Sequence, residues 1–327
     1  MVTGDIMRPN YAITIGSKDF TPDQEPDIIS VRVNRGVGLP TDSCEIVLVG
    51  TGDYSFKKGD SVKINLGYDD KLKPVFSGLI DSIEQELSKV RVKALGRAAG
   101  LLRLRLNRVF LNQTAGKIVS NLAQEAKVKV KQADDGVNLP VYVVDDHTNA
   151  YEHILGLAER CNFDVYLTEE EQLVFKKPTG GKNYSIQYGK EIISVESLDL
   201  SSLYAGVKIW GESPSSVKGA DTSHWLTKKE VKGEAGSGPT LSLDDAAIRD
   251  TKTAETVAKA RETRLRYSFG ASVEAVGRPE ITLGDTVTID SVPYSSLGGK
   301  MEVRGIEHYL SKLKGFTTTV DCWMKVG

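Results

Sequence analysis

One six-residue pattern occurs twice in this chain, and it constrains the fold more than any other feature. The chain reads GDSVKI from Gly59 and GDTVTI from Gly284, so both copies follow the pattern G-D-[ST]-V-x-I. Glycine adopts positive φ without steric cost, and an aspartate side chain accepts hydrogen bonds from nearby backbone amides. The alternating apolar residues that follow are typical of a half-buried strand. We therefore predict that Gly59 with Asp60, and Gly284 with Asp285, form turns that enter β-strands.

The sequence after each copy is also similar. VFSGLIDSIEQEL follows the first copy and EVRGIEHYLSKL follows the second, and each is a strand pattern around a glycine. Each passage ends in a further alternating strand, KVRVKAL after the first copy and FTTTVDCW after the second. Alternation of apolar and polar side chains indicates strands with one buried face. We therefore predict one small β unit that is used twice.

Length, composition and charge exclude several classes of protein. A chain of 327 residues has room for about two domains of ordinary size. Hydrophobic residues make up 40% and charged residues 26%, which is typical of a soluble globular protein. The net charge of −2 argues against nucleic-acid sequence recognition, which usually needs a basic face. No apolar run reaches the roughly 18 residues of a membrane helix, and the N-terminus lacks the features of a secretory signal, so we expect no membrane insertion.

The three cysteines, Cys44, Cys161 and Cys322, lie far apart and form no CxxC pair. Closely spaced cysteines are typical of zinc sites and redox motifs. We therefore predict three buried thiols in a reducing compartment.

Residues 1–107 and 108–178 have different patterns. The first segment contains about six short strands separated by turn residues, which is typical of a sandwich or barrel. The second mixes strands with two amphipathic helices, one capped by Thr114 and one by Thr148 or Asn149. We predict a first β unit followed by a compact α/β insertion.

Residues 179–327 contain the second β unit. Within them, residues 211–240 are rich in Gly, Ser, Pro and Lys, which predicts a long hairpin arm or mobile loops. We predict short helices within residues 242–265, with one or two helical turns over 242–250 and a surface helix over 254–265. The predicted fold class is therefore mainly β with an α/β insertion: two similar antiparallel β-barrels related by pseudo-symmetry, and a small mixed α/β domain.

Histidines and carboxylates offer two candidate chemical sites. His308 lies beside Glu307 in a predicted strand, with Asp81 at the comparable place in the first unit. We favour a structural histidine at a strand end; the alternative is an acid–base pair. His147 and His153 lie six residues apart near several carboxylates, which does not match the i, i+4 spacing of a helical zinc pair. We interpret that run as a helix cap and first turn.

The G-D pairs are not phosphate loops, because neither copy has the glycine spacing or the lysine of a P-loop. We therefore predict no catalytic residue, no bound metal and no cofactor in this chain.

The last third of the chain resembles a known family. A helix pattern, ETVAKARETRLR, leads into YSFGASVEAVGRPEITLGDTVTID and then GGKMEVRGIEHYLSKLKGFTTTVDCW. This order resembles the phage late control D family, the baseplate hub of contractile phage tails and related injection systems, whose fold also forms the base of type VI secretion spikes. The insertion segment NAYEHILGLAERCNFDVYLTEEEQLVF is similar to that family as well. The positions that match the family pattern are Gly277, Pro279, Leu283, Gly284, Asp285, His308, Thr317, Thr318 and Thr319.

The resemblance implies a homotrimer in which each subunit contributes two similar barrels. Three such subunits form a ring of approximate sixfold symmetry, which joins a sixfold tail tube to a threefold spike. It also implies a tail tube protein, a spike protein and baseplate wedge components as partners. Assembly is then expected in the cytoplasm of the producing cell, with the protein becoming part of a virion or injection particle.

Two departures from the family and two alternatives bear on this expectation. The sequence ends at Gly327 without a spike segment, so we expect a separate spike protein, and it has no lysozyme-like insertion. The alternatives are a tail-associated cell-wall hydrolase and the hub of a non-contractile tail.

Two sets of residues are candidate contacts in such a ring. Four arginines alternate with Leu101, Leu102, Leu104 and Leu106, and we favour a solvated face for them over a subunit contact or the inner wall of the ring. A tryptophan in the polar arm is a candidate anchor for a neighbouring protein. These candidate interface residues are Arg97, Arg103, Arg105, Arg108 and Trp225.

Overall fold

The fold is taken from a computed structural model. It describes residues 8–23, 27–50, 52, 54–212, 230–294 and 297–325.

The first β unit consists of seven strands in the described residues. Their alternating burial, with apolar side chains on one face, follows the alternation in the sequence. The strands are β1 (Pro9–Ile15), β2 (Lys18–Phe20), β3 (Ile28–Gly36), β4 (Ser43–Val49), β5 (Ser61–Tyr68), β6 (Lys71–Gln85) and β7 (Lys89–Leu95).

The insertion contains helices and short strands, as predicted. The Thr114 side chain accepts from the amide of Lys117 at the start of α2, and the Asn149 side chain accepts from the amide of Glu152 at the start of α3. Asn162 ends α3 in the left-handed conformation. The elements are α1 (Ala99–Arg103), β8 (Arg108–Thr114), α2 (Ala115–Glu125), β9 (Val130–Ala133), β10 (Asn138–Val144), α3 (Ala150–Cys161), β11 (Asp164–Leu167) and β12 (Leu173–Lys176).

The remaining elements include the second β unit. They are β13 (Asn183–Gln187), β14 (Ile192–Asp199), β15 (Gly206–Gly211), β16 (Lys232–Gly236), β17 (Thr240–Asp245), α4 (Thr251–Leu265), β18 (Tyr267–Val276), β19 (Thr286–Asp290), β20 (Gly299–Ser311) and β21 (Gly315–Lys325). The predicted surface helix is confirmed as α4, and Asp250 caps it by accepting from the amide of Thr253.

The prediction of one or two helical turns over 242–250 is wrong, because these residues form the end of β17 and a turn. Part of the polar arm is the strand β16, which pairs antiparallel with β15 as in a hairpin. Both strands flank β15 in a three-stranded sheet. Leu241 and Leu243 alternate with polar residues in β17, and this period of two suits a strand rather than a helix. Residues 213–229 of the arm lie outside the described residues.

The strands of both β units belong to one sheet. In the described part of the chain, thirteen strands join in the order β14-β18-β21-β20-β3-β4-β7-β6-β5-β1-β2, with β19 beside β20 and β13 beside β19. The mainly-β prediction is confirmed. The prediction of two closed barrels is not, because no sheet among the described residues closes on itself. Smaller sheets form from β10-β8, from β11-β12-β9 and from β16-β15-β17.

Three clusters of buried hydrophobic side chains lie within the described residues. One fills the first β unit and also contains Leu310 and Phe316 from β20 and β21. A second fills the second unit and includes Tyr166 and Val174 from the insertion. The third joins the insertion to β15 and α4, through residues such as Val257. The clusters therefore draw on segments that are distant in the sequence.

Arg35 of β3 is a buried charge that ties the first unit to the insertion. Its Nε donates to the Asp42 carboxylate at 2.9 Å, and its Nη2 donates to the carbonyl of Leu167 at 2.7 Å. Its Nη1 donates to Glu169. Burial raises the pKa of Asp42 to about 6, although Arg35 acts in the opposite direction. Each arginine nitrogen therefore has its own acceptor.

Two further arginines link other parts of the chain. Arg304 of β20 lies 2.7 Å from the Asp164 carboxylate of β11. Arg160 of α3 donates to both oxygens of the Asp245 carboxylate, at 2.6 and 3.0 Å. Bidentate pairing of this kind fixes orientation as well as distance.

Candidate assembly surfaces

The two G-D turns have the same backbone conformation. Gly59 has φ of 92° and Gly284 has φ of 84°. The amide of Gly59 donates to the carbonyl of Ile80 at 2.9 Å, and the amide of Gly284 donates to the carbonyl of Val303 at 3.4 Å. Both glycines thus supply the positive φ that L-residues rarely adopt.

The two aspartates also make the same contacts. The Asp60 carboxylate accepts from the amide of Lys57 at 2.8 Å, and the Asp285 carboxylate accepts from the amide of Thr282 at 3.0 Å. In each turn the aspartate carbonyl accepts from an amide of the second strand after the turn, from Ile80 of β6 and from Val303 of β20, at 2.9 Å in both copies. The repeated pattern in the sequence therefore marks a repeated hydrogen-bonded turn.

The strand ladders repeat as well. The first unit pairs its strands in the order β3-β4-β7-β6-β5, and the second in the order β14-β18-β21-β20-β19. Corresponding strands also occur in the same sequence order in both units. Two register shifts coincide between the units. They lie between Ile28 and Ser30 in β3, Ile192 and Ser194 in β14, Ile80 and Ser82 in β6, and Val303 and Gly305 in β20.

This matching corrects two sequence-based comparisons. Gly305 takes the ladder position of Ser82, so the glycines at the centre of the two similar strand patterns are not equivalent. Arg304 and Asp81 are the bulged residues, and His308 takes the position of Gln85. Asp81 is therefore not the counterpart of His308.

The units differ at one strand. β1 runs antiparallel to β5, whereas β13 runs parallel to β19. The match therefore covers five strands of each unit and not the strand that lies beside the G-D strand.

His308 does not form an acid–base pair with Glu307. His308 is 1% exposed, and its Nδ1 lies 2.9 Å from the Thr318 hydroxyl. Glu307 instead lies at the surface, 2.6 Å from Arg32. Burial, assisted by the positive charge of Arg35, lowers the pKa of His308 to about 3. The imidazole is neutral at physiological pH and has no path to a substrate.

His153 is bound on both ring nitrogens by groups of the same chain. Its Nδ1 lies 3.3 Å from the Tyr142 hydroxyl, and its Nε2 lies 2.9 Å from the Thr148 hydroxyl. His147 lies in the exposed loop before α3, where its amide donates to Asp145 at 2.9 Å. Among the described residues, no cluster of three histidine, cysteine or acidic side chains has the geometry of a metal site.

The three cysteines are free thiols with raised pKa values. Cys44 and Cys322 are buried as predicted, but Cys161 is only partly buried, and its sulfur accepts from the amide of Val137 at 3.4 Å. Burial raises the pKa of Cys161 to about 11 and that of Cys322 to about 12. The thiols are protonated and weakly nucleophilic at neutral pH.

The four candidate arginines do not converge on one site. Arg97 lies 3.1 Å from Glu171, Arg103 lies 3.9 Å from Asp81, and Arg108 lies 2.9 Å from Glu125. Arg105 donates to the backbone carbonyls of Asp146 and His147 at 3.0 and 2.6 Å. Leu101 is buried, and Leu102, Leu104 and Leu106 pack against the insertion core. The alternation thus separates a packed side from a set of locally paired charges.

Trp225 lies outside the described residues. In the part of the chain that the structure covers, no helix is long and apolar enough to cross a membrane.

Sequence reasoning missed Arg35 and Arg304. Each is one arginine in a strand that alternates apolar and polar residues, a pattern that predicts an exposed side chain. Arg35 also pairs with the nearby Asp42, but the acceptors that link Arg35 and Arg304 to the insertion lie more than a hundred residues away in the sequence, so no local pattern reveals that link.

Residues 51–312 match the family described as the Alg8 N-terminal domain. The chain belongs to the Alg8 N-terminal domain family. No curated protein sequence gives a significant match to this family member.

Solved structures of tail proteins share the fold of this Alg8 N-terminal domain family member. The prophage MuSo2 43 kDa tail protein from Shewanella oneidensis has a TM-score of 0.73 and 13% identity, covering 96% of this chain and 98% of its own. The tail protein from Neisseria meningitidis MC58 has a TM-score of 0.70 and 13% identity, covering 97% of both chains.

A secretion-system protein is similar too. The E. coli c3393 protein is a component of the type VI secretion system with structural similarity to T4 bacteriophage tail proteins gp27 and gp5. It has a TM-score of 0.63 and 10% identity, covering 96% of this chain and 77% of its own. The family member therefore has a tail-protein fold. Its resemblance to the late control D family stays a prediction.

Proposed function

We propose that this protein is a structural baseplate hub. Three copies form a ring of approximate sixfold symmetry that joins a sixfold tail tube to a threefold spike in a contractile phage tail or injection system. The repeat of the G-D turn, the strand order and both register shifts supports this proposal. The tail-protein fold is consistent with it.

The physical argument is one of symmetry. A closed ring needs equal surfaces repeated around an axis, and three chains present six such surfaces only when each chain carries two. In this chain the β3-β4-β7-β6-β5 set and the β14-β18-β21-β20-β19 set are two candidate copies of one surface. The proposal treats them as two barrel-like units related by pseudo-symmetry.

The domains are assigned accordingly. Residues 1–107 form the first hub unit, residues 108–178 the insertion, and residues 179–327 the second hub unit. The proposed partners are a tail tube protein, a spike protein and baseplate wedge components. Assembly takes place in the cytoplasm of the producing cell, and the product is part of a virion or injection particle.

The proposed role is not enzymatic. The hydrolase alternative needs a nucleophile or a carboxylate pair in a cleft. His308, the candidate for an acid–base pair, is kept from any substrate by its burial and its bond to Thr318. The contractile and non-contractile alternatives share the same ring and differ in the sheath around it.

Mass measurement tests the proposal. Light scattering and native mass spectrometry of the purified protein, alone and with its tube or spike partner, are expected to give three chains. Averaged electron micrographs of that particle are expected to show six similar lobes. A stable dimer, or a three-chain particle without a ring, would contradict the hub.

A further inference from the structure

Two strand edges lack a partner among the described residues. In each case the corresponding edge in the other unit is paired. β20 pairs with β21 along one edge; along the other it pairs first with β19 and then, from Gly305 to Ser311, with β3. β6 pairs with β7 and β5 in the same way, but beyond Ile80 the β5 side carries no strand among the described residues. β14 corresponds to β3, and its edge away from β18 is likewise open there.

We propose that the open edge of β6 pairs with the open edge of β14 in a second copy of this chain. The new ladder is antiparallel and reproduces the ladder that β20 makes with β3 inside one chain. The partner is thus another molecule of the same protein, and only the number of copies, three, rests on the proposed hub function.

The internal ladder fixes the register of the new one. Ser82 corresponds to Gly305, because each is the first paired residue after the register shift in its strand. Val195 corresponds to Val31, because each is the second paired residue after the shift. Within β6 the resulting cross-chain pairs are Ser82 with Leu200, Ile83 with Asp199, Glu84 with Leu198 and Gln85 with Ser197. Continued by residue count into the turn after β6, the same register places Glu86 opposite Glu196 and Leu87 opposite Val195.

Burial on the β6 side supports this pairing. Leu87 is 102% exposed and Ile83 is 37% exposed. Ile306, the ladder counterpart of Ile83, is 2% exposed. Leu310 corresponds to Leu87 by residue count, although Leu87 lies in the turn between β6 and β7, and it is 6% exposed. A fully exposed leucine beside an open strand edge is an aggregation risk unless a partner covers it. The contact that buries Leu310 inside the chain is the one that Leu87 lacks.

Burial on the β14 side agrees. Leu310 packs in one cluster with Ile28 and Val31, which are 3% and 0% exposed. The counterparts of these two residues, Ile192 and Val195, are only partly buried at the margin of the second unit's core. In the proposed ladder, Leu87 of the neighbouring chain packs against Ile192 and Val195, as Leu310 packs with Ile28 and Val31 inside one chain.

Charge contributes little to the junction. Inside the chain Arg32 pairs with Glu307 at 2.6 Å. Glu196 takes the position of Arg32, so that ion pair has no counterpart, and Glu196 instead faces Glu86. Glu86 is paired with Lys89 at 3.4 Å, which offsets this like-charge contact, and Glu84 is held by Arg91 at 2.7 Å. Backbone hydrogen bonds and apolar contacts therefore carry the junction, and association is expected to depend weakly on salt.

The contact is head to tail, so it either closes a ring or extends a filament. Within a chain, the second unit donates β20 to the first unit. Between chains, the first unit donates β6 to the second unit of its neighbour. If both junctions have the same geometry, all six units of a three-chain ring occupy equal positions.

The first test compares two leucines that are both fully exposed. Leu87→Asp is expected to weaken association by about tenfold or more, because a leucine that would be buried becomes charged. Leu313→Asp is the matched control, since Leu313 is 99% exposed in the turn between β20 and β21, away from both edges. Sedimentation velocity over a concentration series measures both. Circular dichroism melting checks that each variant is folded. Equal association of wild type and Leu87→Asp overturns the pairing.

The second test reads the register. The double variant Gln85→Cys with Ser197→Cys places thiols directly opposite each other across chains, and oxidation is expected to yield covalent multimers. Gln85→Cys with Glu196→Cys is the control, because neighbouring residues on a strand point to opposite faces. Wild type shows whether the native cysteines contribute. Equal cross-linking by the two pairs overturns the register.

The sizes of the cross-linked products distinguish the edge pairing from the proposed hub function. Cross-linking that stops at three chains supports both. Cross-linking that continues beyond three chains supports the edge pairing and contradicts the closed ring. A three-chain mass without cross-linking overturns the edge pairing and leaves the hub standing. A single-chain mass without cross-linking also overturns the pairing.

Discussion

His308 is a buried neutral base, and it makes stability depend on pH. Its pKa lies near 3 in the folded protein and near 6.5 when unfolded, so the unfolded state takes up a proton first as pH falls. The contribution to stability is complete above pH 6.5 and is lost progressively toward pH 3. At pH 5 the loss is about 2 kcal/mol.

Replacing His308 tests this dependence. His308→Gln is expected to reduce the difference in unfolding free energy between pH 7.5 and pH 5 by about 2 kcal/mol. Asp42 acts in the opposite direction, since its raised pKa removes stability as pH rises from 3.8 to about 6. Because Asp42 is present in both proteins, its contribution cancels. Denaturant titrations at the two pH values measure the effect, and an unchanged difference would show that His308 does not take up the proton on unfolding.

The repeated glycines are the second residue-scale prediction. Gly59→Val is expected to destabilise the fold by about 1–3 kcal/mol through its positive φ alone, because no atom lies within 4 Å of an added Cβ. Gly284→Val is expected to cost more, since its Cβ would lie 3.1 Å from the Tyr166 hydroxyl. Gly59→Asn is the control, because asparagine tolerates this conformation better than valine. Thermal unfolding measures all three, and wild-type melting of both valine variants would contradict the matched turns.

At the scale of the element, β3 carries two arginines of opposite character. Arg35 is 3% exposed, and its three nitrogens have three separate acceptors. Arg35→Met leaves Asp42 buried without its partner, and the expected loss is about 3–5 kcal/mol. Arg32→Met is the matched control on the same strand. Arg32 is 45% exposed, and its pair with Glu307 is expected to contribute less than about 1 kcal/mol. Denaturant midpoints of the two variants measure the losses of stability. Equal losses would show that Arg35 does not link the first unit to the insertion.

Strands and helices differed in how well the sequence predicted them. The capped helices at Thr114 and Asn149 and the alternating strands of both units were predicted, because their signals are local. β17 was missed although Leu241 and Leu243 alternate with polar residues, because serine and aspartate also favour helix starts. The equivalent positions of β6 and β20 were misassigned because a shared glycine suggested one alignment, whereas the register is set by a bulge.

The surfaces were harder to predict than the elements. The sequence indicated Arg97 and its neighbours as a possible contact, and their partners are separate parts of the same chain. The sequence does not distinguish Leu87 from other surface residues, because a single exposed leucine is common. It becomes informative only when the match between the two units gives it the position of the buried Leu310. That comparison requires the pairing of strands across the whole chain.

At the scale of the whole molecule, the two units are joined by more than a linker. The ladder between β20 and β3 makes their strands one sheet. Leu310 belongs to a strand of the second unit but is buried in the core of the first. Separate units would unfold independently, whereas a shared sheet and core couple them. We therefore expect one cooperative unfolding transition for both units.

Leu310→Ala tests this coupling. Truncating a buried leucine is expected to cost about 2–5 kcal/mol, and the loss is expected in both units because the side chain is shared. Hydrogen exchange followed by mass spectrometry is expected to show faster exchange in β3 and β4 as well as in β20. Leu313→Ala, at a fully exposed position, is expected to change neither. Faster exchange confined to β20 and β21 would mean that the units are energetically separate. The internal junction could then not serve as the template for a rigid junction between chains.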